Sequence, residues 1–450
     1  MTTKSSFSSW ALAAIALLCA VASIALLLKG GHAANIGAGL GGLSSACLLG
    51  LAWKGSVEAK TMTALSLVAG ALAVYSAELF LTWHGSRESP IEYAKDHDRR
   101  TVREVVMDIR ARSDPRAVPI IYPSYLITRS DLFANYELQV DGTAVLPLSG
   151  ISARQTVLCN EGGAWARYVS DQFGFRNPPG VWKSQPQIGV VGDSFSHGNC
   201  VNDGEDWVAR VRAAYPGTIN LGMGGNGAMF ELAALKEYLM PLQPPVVIWE
   251  FLEANEMRIP AEMEIPILKR YLGEPGFRQG LMERQAAIDK LLEGIVDRAL
   301  SKPDLTPQAP GFPILNTFKL SRLRQTLGIR GNARNPNLAL LREALRAGKQ
   351  ATGSWGGRLY FLYLPTALGI TSDRPPSWYA TREQVLEIAR EEGLDVIDAY
   401  PEFRAHPDPL ALFPYRGNFH YNAEGYRLVA EAVMRRLTTD GVLPVGKDSK

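Results

Sequence analysis

Five short apolar runs constrain this chain most strongly: QIGVVGD (187–193), GTINLG (217–222), PVVIWEFL (245–252), RLYFLYLP (358–365) and LDVIDAY (394–400). Each has the length of a buried strand and is bounded by Gly, Pro or Asp. Between and after them lie segments with helical spacing, Glu205 to Ala214, Met229 to Met240, Arg382 to Glu392 and Ala423 to Arg436. Strands alternating with helices predict a parallel sheet covered on both faces. Ligands of such sheets bind outside the carboxyl ends of the strands, so the residues just past each run are the first place to look for chemistry.

The N-terminal part reads differently. Trp10 to Leu28, Ala33 to Trp53 and Thr61 to Trp83 are free of basic residues, and each is long enough to cross a hydrocarbon core of about 30 Å as a helix. The spacing predicts a three-span membrane anchor over 1–85. A cleavable signal peptide is the alternative for the first segment, because Lys4 precedes an apolar run. Gly37 and Gly41 stand at the spacing that lets membrane helices approach closely. Glu78, inside the third segment, is expected to snorkel to the interface or pack within the bundle, with a proton relay as the functional alternative.

Lys and Arg number 47 against 45 Asp and Glu, a formal charge of +2. No basic stripe interleaved with aromatics is present, so nucleic acid is not expected as a partner. The basic residues flanking the spans lean slightly against an extracytoplasmic placement of the remainder. The cysteines lean towards it. Cys19 and Cys47 lie in the spans, leaving Cys159 and Cys200 as a pair in the soluble part. That pair fits one disulfide in an oxidising compartment, or two buried thiols.

Residues 86–155 read as a juxtamembrane stretch: one amphipathic helix, DRRTVREVVMDIRAR (98–112), then a small β-rich lead-in with a hairpin turn at Asp141-Gly142. Residues 256–356 form a mostly helical insert, either structural or a lid. NLALLREALRA (337–347) has the apolar spacing of a core-packing helix.

Ser194 follows the first run directly, in GDSFS, as a nucleophile at a strand tip would. The second run ends in NLGMGGNG and the third in EFLEANEM, which adds a glycine-rich turn and Asn255 at the same edge. A hydroxyl, exposed backbone amides and a carboxamide are the donors a developing oxyanion needs. Of six histidines, His197, His406 and His420 lie in the soluble region. His197 opens the first helix and points poorly for a base, and His406 sits in the loop AHPDP. His420, just before the last helix, is the candidate base. No Cys/His cluster has metal-ligand spacing and no dinucleotide or P-loop fingerprint appears, so neither metal nor cofactor is expected.

These residues resemble the SGNH hydrolase (GDSL esterase/acyltransferase) superfamily from about Thr156 to the C-terminus, its blocks a Ser in GDS, a Gly, an Asn and a His. The resemblance implies an α/β, flavodoxin-like parallel sheet sandwiched by helices, here preceded by three transmembrane helices, with a catalytic domain over 156–440. It also implies acyl transfer: Ser194 attacks an ester carbonyl, His420 relays the proton, and Ser194, Gly225 and Asn255 hold the oxyanion. The family's usual Asp three residues before the histidine is replaced here by Gly417. Asp408 is the candidate substitute, and a Ser–His dyad or weakened activity are the alternatives. The lead-in TVLCNEGG…SDQFGFRNP also looks like membrane-tethered bacterial members associated with envelope polysaccharides.

The expected function is a membrane-anchored esterase. It acts on O-acyl groups, acetyl foremost, of an extracytoplasmic (periplasmic) glycan, with the bilayer and the acylated glycan as partners. The alternatives are an O-acyltransferase served by a separate membrane acyl-donor partner, and a non-catalytic glycan-binding or assembly protein.

Overall fold

The computed structural model describes residues 8–17, 19–20, 32–87, 97–128, 139–140, 142–253, 258–301, 320, 323, 337–371, 381–417 and 419–442. The chain forms two compact units, residues 1–90 with 309–334, and residues 91–308 with 335–450.

In the first unit, helices His32–Lys54 and Val57–Arg87 cover the second and third segments expected to span. Among the described residues one helix, Val57–Leu81, is long and apolar enough to cross a membrane, and Ser8–Leu17 is a shorter apolar helix. Part of the first expected span lies outside the described residues. Glu78 is buried and its Oε2 accepts the Leu323 N–H at 2.6 Å, so this carboxylate packs within its own unit.

The second unit opens with helix Val102–Arg112. Its start is set by Thr101 and Glu104, whose side chains cap each other's backbone N–H groups. The lead-in supplies five short strands, β1 (Val118–Pro119), β2 (Gln139–Val140), β3 (Thr143–Ala144), β4 (Gln155–Val157) and β5 (Arg167–Val169). The expected hairpin is β2 paired antiparallel with β3, with Gly142 at φ 73° in the turn. β4 joins β1 in parallel and β5 in antiparallel register.

The main sheet contains β6 (Ile188–Val191), β7 (Thr218–Asn220), β8 (Val246–Leu252), β9 (Arg358–Leu364) and β10 (Asp395–Asp398), the five apolar runs of the sequence. Every pairing is parallel, in the order β10-β9-β8-β6-β7. This is the flavodoxin-like order, in which the chain steps to one side of the first strand and then to the other.

Alternation along the central strands divides the core in two. Val247, Trp249 and Phe251 of β8 join Phe361 and Tyr363 of β9 under helices Ala228–Ala234, Asn337–Gly353 and Arg382–Glu391. Val246 and Ile248 join Tyr360 and Leu362 on the opposite face, under helices Trp207–Ala214 and Ala423–Asp440. Burial on both faces is why these strands read as unbroken apolar runs.

The insert contributes core structure on both sides of its centre. Helix Leu281–Ser301 turns Leu281, Ile288, Leu292 and Ile295 inward, one face at helical spacing. It also holds the lead-in, with Asp289 accepting the Ser152 N–H at 2.9 Å and Glu293 pairing with Arg154. Asn337–Gly353 is the crossover between β8 and β9.

Ile248 is fully buried in the central strand. Ile248→Ala is expected to cost about 2–5 kcal/mol, whereas Val169→Ala at a 59% exposed position stays within about 0.5 kcal/mol. Chemical unfolding followed by tryptophan fluorescence measures both.

Candidate active site

The site lies at the carboxyl end of β6, where the strand order reverses. β6 runs into Gly192 and Asp193, and Ser194 opens the four-residue helix Ser194–His197. Gly192 has no room for a side chain: a Cβ there would lie 2.4 Å from Ser196 Oγ and 2.5 Å from Glu250 Oε2. Asp193 caps the helix by accepting the Phe195 N–H at 2.8 Å, a turn-holding role. Glu250 Oε2, from β8, accepts the Asp193 N–H and the Ser196 hydroxyl, both at 3.0 Å. Burial pushes the Glu250 carboxyl well above its usual range, with the nearby Asp193 charge acting the same way.

His420 arrives from the loop ahead of the closing helix, 226 residues along the chain from Ser194. Its Nε2 lies 2.8 Å from Ser194 Oγ. Its Nδ1 lies 2.9 and 3.0 Å from the two carboxylate oxygens of Glu161, and its backbone N–H donates to Glu161 Oε2 at 2.9 Å. A carboxylate only accepts, so Nδ1 carries the proton and Nε2 is left to accept the Ser194 hydroxyl. The Phe195 ring packs on the imidazole with centroids 4.8 Å apart.

The acid on His420 is therefore Glu161, and the expectation of Asp408 is corrected. Asp408 pairs with Arg416 at 2.9 Å, and that guanidinium holds its carboxyl below the usual range. Glu161 sits in the loop joining β4 to β5, 259 residues from His420. Reading the histidine block alone cannot reach it. The signal that could have found it is the cysteine pair. Cys159 and Cys200 form a disulfide with Cα atoms 5.1 Å apart, which ties the Glu161 loop to the segment following the nucleophile.

His197 and His406 make other contacts. His197 is fully buried, with Nδ1 2.9 Å from Asn199 Oδ1 and Nε2 3.2 Å from the Tyr168 hydroxyl of β5. Burial first, and the Arg176 charge second, push its pKa down to about 3. His406 Nδ1 accepts the Asp408 N–H at 3.1 Å within its own loop.

On the oxyanion side, Met223 N–H donates to the Gly192 carbonyl at 3.2 Å, which binds the glycine turn after β7 to the nucleophile turn. Gly225 has φ 83°, in the left-handed region, and a Cβ there would lie 2.4 Å from Ser124 Oγ. Residues Pro123–Thr128 of the lead-in form a helix against this turn, with Ser124 Oγ donating to the Gly224 carbonyl at 3.2 Å. Tyr125, beside Gly225, stays 45% exposed. Asn255, the third expected donor, lies outside the described residues. Behind the turn, Glu262 accepts the Gly227 N–H at 2.6 Å and the Met229 N–H at 3.0 Å, and burial raises its pKa to about 7. Among the described residues, Glu161, Cys200 and His420 are the one group of potential metal donors close together, and the Cys200 sulfur is committed to the disulfide.

A serine, an imidazole and a carboxylate in hydrogen-bonded series can pass a proton from the hydroxyl to the ring and stabilise the cation that results. The sequence profile of the GDSL-like Lipase/Acylhydrolase family matches residues 190–428, more than half of the chain, so the chain belongs to this family. Among solved structures it is similar to a lipase/acylhydrolase from Enterococcus faecalis (17% identity, 57% of this chain and 96% of that one, TM-score 0.33). It is also similar to the acetyl xylan esterase AlAXEase (12% identity, 56% and 99%, TM-score 0.32). A third is LAE5, an alpha/beta hydrolase enzyme from the metagenome of Lake Arreo, Spain (15% identity, 59% and 100%, TM-score 0.33). A comparison with curated proteins finds no match.

Replacing Glu161 by Gln is expected to lower kcat by as much as about 10⁴-fold, the loss seen when an orienting carboxylate becomes an amide in a serine-protease triad. Asp408→Ala, a change at an exposed ion pair, keeps kcat within a factor of about two. Steady-state hydrolysis of p-nitrophenyl acetate separates the two.

His197 also predicts acid sensitivity. Its pKa is about 3 folded against an ordinary 6.5 unfolded, so the unfolded chain gains a proton that the folded one refuses as pH falls below 6.5. Stability is then lost between about pH 6.5 and 3, at up to about 1.4 kcal/mol per pH unit. Unfolding free energies across that range should fall less steeply for His197→Gln than for the wild type.

Proposed function

We propose that this chain is a membrane-anchored serine esterase that removes O-acyl groups, acetyl foremost, from an extracytoplasmic glycan. The observation that carries the catalytic part is the unbroken series Ser194 Oγ, His420 Nε2, His420 Nδ1 and Glu161, with spacings of 2.8 and 2.9 Å. It replaces the acid that the histidine block lacks, and so removes the motive for a non-catalytic reading.

The mechanism follows from the donor and acceptor roles. Ser194 Oγ attacks the ester carbonyl as His420 Nε2 takes its proton, and Glu161 stabilises the imidazolium through Nδ1–H. The Ser194 N–H opens a helix, where backbone donors lack intrahelical acceptors. We assign this N–H and that of Gly225 to the developing oxyanion, with the Asn255 carboxamide as the third donor that the family resemblance implies. His420 then returns the proton to the leaving alkoxide, and water repeats the sequence to free the acyl group.

Three observations support the setting. The disulfide suits an oxidising compartment, and Val57–Leu81 suits a bilayer anchor. The exposed Tyr125 ring beside Gly225 offers an apolar wall with a polar tip, a surface matched to the mixed character of a sugar ring.

The test uses the full-length chain with p-nitrophenyl acetate, an acetylated oligosaccharide and a serine-directed phosphonate. Wild type is expected to release acetate and to be labelled at Ser194. Ser194→Ala should lose about 10⁴-fold or more in kcat and all labelling. Equal activity in wild type and variant would refute the assignment. Acetate transferred to an added acceptor sugar faster than it is released to water would make the chain an O-acyltransferase instead.

A further inference from the structure

The Glu161 carboxylate is held in an unusual way. Hairpin bonding between β4 and β5 ends at Cys159, with Leu158 N–H to the Ala166 carbonyl and Ala166 N–H to the Cys159 carbonyl, both 2.9 Å. Beyond that point the loop leaves the ladder. Three hydrogen bonds tie it to one stretch of chain, Asn160 Nδ2 to the Asp98 carbonyl and Asp98 N–H to the Gly163 carbonyl at 2.8 Å, and Trp165 Nε1 to the Arg100 carbonyl at 3.2 Å. Its covalent tie is the Cys159–Cys200 bond, two residues before the acid.

The other end of that bond is anchored firmly. Asn199, next to Cys200, donates its N–H to the Ser194 carbonyl at 3.0 Å, and its Nδ2 donates to the Tyr122 hydroxyl at 2.9 Å. Cys200 itself is held at φ 64°, a conformation that a non-glycine residue keeps only where its surroundings impose it. The sulfur is thus presented from the nucleophile's own segment to the loop that carries the acid. Both cysteines are half-buried.

We propose that the Cys159–Cys200 disulfide is the positioning device for the Glu161 carboxylate, and that its reduction uncouples Glu161 from His420 while leaving the fold in place. This rests on the catalytic reading given above. In the reduction, an external dithiol transfers two electrons and two protons. The S–S bond breaks, Cys159 and Cys200 become thiols, and the dithiol closes to its own disulfide. The two cores that flank the main sheet hold the unit together without the cross-link, so the change is read at the imidazole.

The experiment uses the full-length chain carrying Cys19→Ser and Cys47→Ser, so that thiol titration reports this pair alone. Oxidised and dithiothreitol-reduced protein are compared for kcat and KM on p-nitrophenyl acetate, for near-ultraviolet circular dichroism, and again after reoxidation. Reduction is expected to lower kcat by about 10²-fold, the loss typical of a group misplaced by about 1 Å. KM and the dichroism should hold, and reoxidation should restore the rate. Cys159→Ala/Cys200→Ala should match the reduced enzyme with no reductant present. In Glu161→Gln, reduction should change kcat by less than about threefold, because the two changes remove one interaction.

Equal losses on reduction in both Glu161 backgrounds, no loss in the wild type, or a loss that tracks vanishing dichroism would each overturn the proposal. Ser194→Ala is run alongside. If it keeps activity, the catalytic reading itself fails, whereas an inactive Ser194→Ala with any of those three results condemns the disulfide proposal alone.

Discussion

The crossovers that leave β6 and β8 pack on opposite faces of the sheet, and the site depends on that divergence. From β6 the chain passes through Trp207–Ala214 on one face to reach the edge strand β7. From β8 it passes through Asn337–Gly353 on the other face towards β9 and β10. Among the described residues no crossover helix covers the carboxyl end of β6, the place where such sheets bind ligands. Gly192, Asp193 and Ser194 occupy that end, and the glycine turn after β7 closes against them. Ser194 and the glycine turn are therefore neighbours because of strand order, before any side chain is considered.

The turn itself rests on buried carboxyl groups. Glu250 is fully buried under it and accepts from Asp193 N–H and Ser196 Oγ. Its second oxygen has no partner among the described residues, and the same is true of Glu231, whose other oxygen accepts from Trp249. An unpaired buried carboxylate would be costly, so burial drives both groups towards their neutral forms. Buried acids behind the turn and a neutral His197 beside it leave Glu161 as the carboxylate that meets the imidazole of His420.

The segments ahead of β6 also build the candidate site. They supply Glu161 to His420, Tyr168 to His197, Tyr122 to Asn199 and Ser124 to the glycine turn. The family match begins at residue 190, so each of these contacts comes from outside the matched stretch. Ser194 follows a strand of the main sheet and His420 precedes its closing helix, while Glu161 comes from the β4–β5 loop of a separate small sheet, tied by a disulfide to the segment after Ser194.

Much of this was legible in the chain. Alternating apolar runs and helical segments announced the parallel sheet, GDSFS placed the nucleophile at a strand tip, and the count of histidines singled out His420. The parallel sheet follows from strand and helix periodicity, and the structure sets Ser194 at a strand tip 2.8 Å from His420, because periodicity, turn chemistry and the scarcity of histidine are local or compositional properties. Glu161 was not legible. Nothing in NEGG distinguishes a triad acid from a solvated loop residue, and Asp408 was nearer in sequence while its charge went to Arg416. Which carboxylate meets an imidazole is decided by distance in space, and across 259 residues only the packing of the lead-in against the nucleophile segment sets that distance.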